Sequence, residues 1–192
     1  MTGIQGAPQT KSVPDRGSQS QNGDRFEALY RAESGYVLHS LRRLGVEERD
    51  VEDIAHDTFV VVARKFADYD AARPLRPWLF GIAFRVALDY RRSARVRRER
   101  LDFPHEAQDA LDVRPTADAH VERADAQRLV LAALETLRLE ARALLILHDI
   151  DDVPVPEIAT ALGIPLNTAY SRLRLARAQF EAAVRELSRG DG

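Results

Sequence analysis

EIATALGIPLNTAYSRLRLAR, residues 157–177, decides how this chain is read. Ile158, Ala159 and Leu162 recur at the spacing of one helical face. Gly163 follows where that helix should stop, in a turn whose backbone conformation a Cβ resists. After Pro165 a second helix begins. Ala169, Leu173 and Ala176, spaced four and three, face inward along it. That rotation leaves Asn167, Tyr170, Ser171, Arg174 and Arg177 outward, with Arg172 on the flank. Asn and Arg can pair with base edges in bidentate fashion, while Ser, Tyr and further Arg hold phosphates. A bracing helix, a tight turn and a helix that offers its N-terminal side chains to the major groove make a helix-turn-helix. A solvated helical hairpin would share the Gly turn; the small inward residues and the Arg spacing favour the DNA reader. The 156 residues before the motif need a separate explanation.

Bulk properties narrow it. The chain has 192 residues, 45% apolar and 30% charged, enough for one large domain or two small ones. It has no Cys, which excludes a disulfide framework, thiolate zinc and a Cys nucleophile. FVVVA (59–63) and ALLIL (143–147) are far short of the roughly 18–20 apolar residues that cross a bilayer. No basic segment followed by an apolar one opens the chain, so a cytoplasmic protein without membrane insertion is expected. The net charge of -2 conceals blocks of opposite sign. Residues 73–100 carry nine Arg against Asp89 and Glu99, a net +7. Residues 101–127 carry seven acids against Arg114 and Arg123, a net −5. Residues 168–189 carry five Arg against Glu181 and Glu186, a net +3. Two basic blocks flanking an acidic one point to two polyanion-facing surfaces.

Along the chain the apolar period is helical and no segment alternates with period two. The fold class expected is all-α: two small helical domains joined by an acidic flexible linker, the second containing the helix-turn-helix. Residues 1–23, mostly Gly, Pro, Ser, Gln, Asn and Thr, read as a disordered tail. The first helical domain spans 24–100. Its first helix carries Phe26, Leu29, Tyr30, Val37, Leu41 and Leu44 on one face and stops at Gly45. Its second carries Val51, Ile54, Ala55, Phe59, Val62 and Phe66. Its third starts near Pro77, with Trp78, Leu79, Ile82, Ala83, Val86 and Tyr90 as its stripe. The linker covers 101–120 and the second domain 121–189, with helices expected at about 120–137, 139–148, 155–162 and 166–187.

Two surfaces of the first domain stand out. The early polar face of its second helix is acidic: Asp50, Glu52, Asp53 and Asp57. A solvated face would look the same; a docking face for a basic partner helix is the functional reading. In the next loop and helix, Tyr69, Trp78, Phe80, Phe84 and Tyr90 interleave with Arg73, Arg76, Arg85, Arg91 and Arg92. Some of these rings must be core. Arg beside aromatic rings is also what single-stranded nucleic acid requires, each stacked base being worth about 1–3 kcal/mol.

VEDIAHDTFVVVARKFADYDAARPLRPWLFGIAFRVALDYRR (51–92) resembles the second conserved region of bacterial sigma-70-family sigma factors. RLVLAALETLRLEARALLILHDIDDVPVPEIATALGIPLNTAYSRLRLARAQF (128–180) resembles their fourth. With nothing like a first or third region, the plan resembles that of the extracytoplasmic-function (ECF) group. The resemblance implies a factor that binds core RNA polymerase, recognises −35 and −10 promoter elements, melts the −10 region and directs initiation. It implies polymerase docking by Asp50, Asp53, His56, Asp57 and Phe59, with His56 standing where Gln is usual. It implies −10 DNA contacts, duplex and single-stranded, by the loop at about 66–77 and the helix after it: Tyr69, Arg73, Arg76, Trp78, Arg85, Asp89, Arg91 and Arg92. Arg85 replaces the usual Asn. It implies −35 contacts within 155–177 by Asn167, Thr168, Tyr170, Ser171, Arg172, Arg174 and Arg177. An anti-sigma factor is the further partner it implies, covering the polymerase-docking face; it implies no cofactor.

Two rival classes fit the residues less well. An enzyme would have to use the His56-Asp57 and His148-Asp149 pairs as metal ligands, but too few His and Asp remain to complete a site, and no phosphate loop or nucleophile motif is present. A helix-turn-helix regulator acting without polymerase explains the second domain but not the acidic and Arg–aromatic surfaces of the first.

Overall fold

The computed structural model describes residues 16–101 and 118–190. Among them there are helices and turns and no strand. Helices α1 (Arg16–Arg43), α2 (Val51–Lys65) and α3 (Leu75–Leu101) pack on one another as the first module. Helices α4 (Asp118–Glu135), α5 (Leu139–Leu145), α6 (Val155–Leu162) and α7 (Leu166–Gly190) form the second, with α7 touching the other three.

The helical faces follow from side-chain spacing. Val51, Ala55, Phe59 and Val62 are the buried line of α2, at intervals of four, four and three. Thr58 lies on that face and donates its hydroxyl to the Ile54 carbonyl at 2.8 Å, which satisfies a buried polar group locally. Gly45, at φ 81°, ends the first arm. Its lack of a Cβ matters twice: the φ is left-handed, and a methyl there would collide with the Arg142 guanidinium.

The expected helices are present with shifted ends. α1 reaches back to Arg16, so residues 16–23 belong to a helix rather than to the expected tail; residues 1–15 lie outside the described residues. A packed helix supplies its own nucleus, so polar residues can extend it without a new nucleation step. α3 starts at Leu75, with Pro77 in its first turn. Most of the 101–120 linker lies outside the described residues, and α4 includes 118–120. The helix expected over 139–148 widens into a π-helical turn at Ile146–Ile150. There the Asp151 N–H donates to the Ile146 carbonyl at 3.0 Å.

The burial of α3 exceeds its expected stripe. Phe80, Phe84 and Ala87 are buried along with Leu79, Ile82 and Ala83. A single stripe would suffice if only α1 and α2 covered this helix. α6 of the second module covers it as well, so one apolar core runs from Leu29 through both modules to Ala176.

Candidate nucleic-acid interface and partner-docking face

The helix-turn-helix is built as its sequence requires. Gly163 caps α6 in the left-handed conformation, at φ 70°. Its N–H donates to the Thr160 carbonyl, and the Ile164 N–H to the Ala159 carbonyl at 2.9 Å, so the last carbonyls of α6 are satisfied. Ala169, Leu173 and Ala176 are buried against the rest of the module. Asn167, Tyr170, Ser171, Arg172 and Arg174 are exposed on the opposite side, Tyr170 by 53%; Thr168 is half-buried. An open groove along this face is lined by His148, Asn167, Tyr170, Arg174 and Arg177.

Arg177 is exposed but engaged within the chain. Its Nε donates to both carboxylate oxygens of Asp149, at 3.2 and 3.0 Å, and its NH2 donates to Oδ1. The hydrogen bond from Arg177 holds the Asp149 carboxyl below its usual range, against the opposing effect of burial. The sign of the linkage follows. A depressed carboxylate stabilises the fold above the unfolded carboxylate pKa, and that contribution disappears as pH falls through the lower folded value. Both side chains are about a third or more exposed, 32% and 47%, so solvent screens the pair. Asp149→Asn should therefore cost less than about 1 kcal/mol at pH 7 and nothing once both states are protonated; melting curves from pH 7 to 3 read this.

In the first module the segment 66–77, which runs from the end of α2 into the first turn of α3, is tied at both ends. Phe66 meets Phe26 edge-on at 6.0 Å, and the Arg76 Nε donates to Glu33 Oε2 at 3.0 Å, with its guanidinium over the Tyr36 ring. Between them Tyr69 leans on Trp78 with ring centroids 4.6 Å apart, and the Tyr69 hydroxyl donates to the Arg73 carbonyl. Both rings are half-buried, so the corner keeps aromatic surface accessible. Arg73, Asp89, Arg91 and Arg92 are exposed. Arg85 is exposed as well, with two of its donors engaged within the chain: Nη1 donates to the Gly81 carbonyl at 2.7 Å and Nη2 to the Ala161 carbonyl of α6 at 3.2 Å.

On α2, Asp53, His56 and Asp57 are exposed. Asp50 accepts a 2.6 Å hydrogen bond from the Tyr90 hydroxyl and so ties α2 to α3. Burial, then that bond, pushes the Tyr90 phenol up to about 12. Phe59 is 4% exposed and packs edge-on against Tyr30 at 4.7 Å, so it props the helix from within. Sequence reasoning missed Tyr36, Gly81, Arg142 and Asp151, and weighed Asp149 only as a metal ligand; their partners lie across the fold.

A basic recognition helix behind a Gly turn in the second module, joined to a first module with an Arg–aromatic corner and an acidic helix, defines a two-module nucleic-acid-binding protein. The Sigma-70 region 2 model matches residues 29–97, and the Sigma-70 region 4 model matches residues 127–180. RNA polymerase sigma factor NccH of Alcaligenes xylosoxydans xylosoxydans is 35% identical over 162 residues, covering 82% of this chain and 85% of that one. ECF RNA polymerase sigma factor SigL of Mycobacterium tuberculosis is 30% identical, covering 84% of this chain and 90% of its own. CnrH of Cupriavidus metallidurans, solved in complex with the cytosolic domain of CnrY, superposes with TM-score 0.60 at 26% identity, over 88% of this chain and 94% of that one. The chain belongs to the ECF group of the sigma-70 family and is a promoter-recognising sigma factor.

Proposed function

We propose the following division of labour within the sigma-factor role. The exposed acids Asp53 and Asp57, with His56 between them, dock on a basic surface of core RNA polymerase. The Tyr69–Trp78 corner, with Arg73 and the exposed Asp89, Arg91 and Arg92 of α3, handles the −10 element. The tilted rings receive an unstacked base and the guanidinium groups follow the backbone. Asn167, Tyr170, Ser171, Arg172 and Arg174 read the −35 element in the major groove, with Thr168 at the edge of that face. Arg177 holds α7 to the π-helical turn and Arg76 holds the loop to α1, so both act by positioning. Asp50 and Phe59 support the docking face from behind.

One observation carries this reading. The outward set of α7 is exposed and polar while its inward set, Ala169, Leu173 and Ala176, is buried and apolar. The protein partners proposed are core polymerase and an anti-sigma factor; a sigma factor from Bartonella quintana is solved with the anti-sigma factor NepR. No helix of the described residues is long and apolar enough to cross a membrane. We place the chain in the cytoplasm with no catalytic role of its own.

Size-exclusion chromatography with purified bacterial core polymerase tests the core of this. Co-elution, together with weak duplex binding by the free chain, is expected. Tight duplex binding by the free chain without co-elution would instead favour a regulator that acts alone.

A further inference from the structure

Leu175 is 58% exposed, the most exposed large apolar side chain among the described residues. The other two exposed large apolar residues of α7 have apolar company. Leu166 lines a shallow groove with Pro156, Ile164 and Pro165, and Tyr170 lines the groove that Val155 and Leu173 also line. Leu175 lines neither. Its helical neighbours one turn back and one turn on, Ser171, Arg172, Ala178 and Gln179, are all exposed. A single exposed leucine is ordinary on a protein surface. Its place on this surface is what carries meaning.

Asn167, Ser171 and Leu175 follow one another at intervals of four, so they form one line along α7. All three are exposed, and the line lies away from the buried Ala169, Leu173 and Ala176. Leu175 therefore shares the face whose polar members are assigned to base reading. Reach allows it to take part. The helix rises about 12 Å from Asn167 to Leu175, close to the width of the B-DNA major groove, so Leu175 is still at the groove when Asn167 is inside it. A leucine side chain has no hydrogen-bonding group. The base edges in that groove are donors and acceptors with one apolar exception, the C5-methyl of thymine.

We propose that Leu175 is a specificity-determining residue of the −35 reading, selecting thymine at one position by packing on its C5-methyl group. This rests on the helix-turn-helix reading the −35 element, and it adds the class of base read at that position. Asn167 and Arg174 choose their bases through hydrogen bonds, whereas Leu175 chooses through apolar burial. Removing the methyl while keeping every hydrogen-bonding group of the base costs about fourfold in affinity, equivalent to about 0.8 kcal/mol for one buried methylene-sized group.

The holoenzyme, assembled from this chain and purified core polymerase, is first presented with a duplex library randomised across both promoter elements. In the best-bound duplex each −35 thymine, on either strand, is then replaced in turn by deoxyuridine, which lacks only the C5-methyl. At least one position should lose about fourfold in affinity. With the Leu175→Ala holoenzyme the loss at one such position should vanish, and its own library selection should accept other bases there. Leu175→Met, which keeps a flexible apolar side chain, should retain the sensitivity. Both variants should keep the wild-type melting temperature, since Ala and Met are good helix formers and the site is exposed.

A wild-type holoenzyme indifferent to deoxyuridine at every position would overturn the proposal. So would an equal response from wild type and Leu175→Ala, which would give the methyl to another side chain, Tyr170 first. Leu175→Ala that weakens assembly with core polymerase and leaves the deoxyuridine response intact would place Leu175 in a protein contact and overturn it as well. In each of these cases the −35 preference itself survives. A library selection with no −35 preference at all would instead overturn the helix-turn-helix assignment, and Leu175 with it.

Discussion

Asp53→Arg/Asp57→Arg should lower affinity for core polymerase by about thirtyfold or more, since breaking close interfacial charge pairs costs about 2–5 kcal/mol. The two acids are exposed and one helical turn apart, so they present a paired negative edge. Reversal leaves two positive charges facing the positive surface they are proposed to meet, which adds repulsion to the lost attraction. The fold should survive. Asp53 sits in the first turn of α2, where a carboxylate favours the helix dipole, so its reversal costs about 0.3–1 kcal/mol and a few degrees in Tm. Glu140→Arg/Glu186→Arg, an equal double reversal on exposed acids of the other module, serves as the control. Competition binding with labelled wild-type chain reads the difference. Equal weakening by the control would reduce the effect to net charge, and unchanged affinity in the double variant would remove α2 as the docking face.

The readable parts of this protein were those whose chemistry is local. The Gly163 turn and the 169–173–176 inward line need only sequence spacing and a helical period, and the structure has both. The acidic edge of α2 is legible for the same reason. Which cations are available to DNA is not local. Arg76, Arg85 and Arg177 all lie in basic, aromatic-rich stretches and read as DNA contacts. Their partners Glu33, Ala161 and Asp149 stand 43, 76 and 28 residues away. A charge pattern shows that a guanidinium exists; only the fold shows which oxygen it already faces. The aromatics divide in the same way. Phe80 and Phe84 sit beside Arg residues in sequence but are buried, because α6 covers a second side of α3. Tyr69 and Trp78, at the loop junction, keep accessible surface. The contact between modules left no trace in the sequence because its central residue is a glycine whose Cα faces a backbone carbonyl.

Arg174→Ala should reduce transcription from a fully duplex promoter by about 10- to 100-fold, the size expected when one good bidentate base contact is lost at about 1–3 kcal/mol. From a template whose −10 segment is already unpaired, the same variant should lose much less. Arg174 is exposed on the outward face of α7, between the buried Leu173 and Ala176, so its truncation opens no cavity. Tm should stay within about a degree, since surface substitutions of this kind are usually within ±0.5 kcal/mol. The two templates separate the modules. A duplex promoter needs the recognition helix to place the chain before any strand separation is possible. In the proposed division of labour, a pre-opened template supplies the unstacked bases directly to the Tyr69–Trp78 corner, so affinity there depends less on α7. Arg177→Ala is the instructive comparison. It deletes an equal charge one turn further along, but from a side chain engaged with Asp149. Its loss should therefore appear first as a slightly less stable second module, and in transcription only to the extent that α7 shifts. If Arg174→Ala lost equally on both templates, the helix-turn-helix would be contributing to something other than duplex reading. If Arg177→Ala were the more damaging of the two at unchanged stability, Arg177 would have to leave Asp149 and contact DNA.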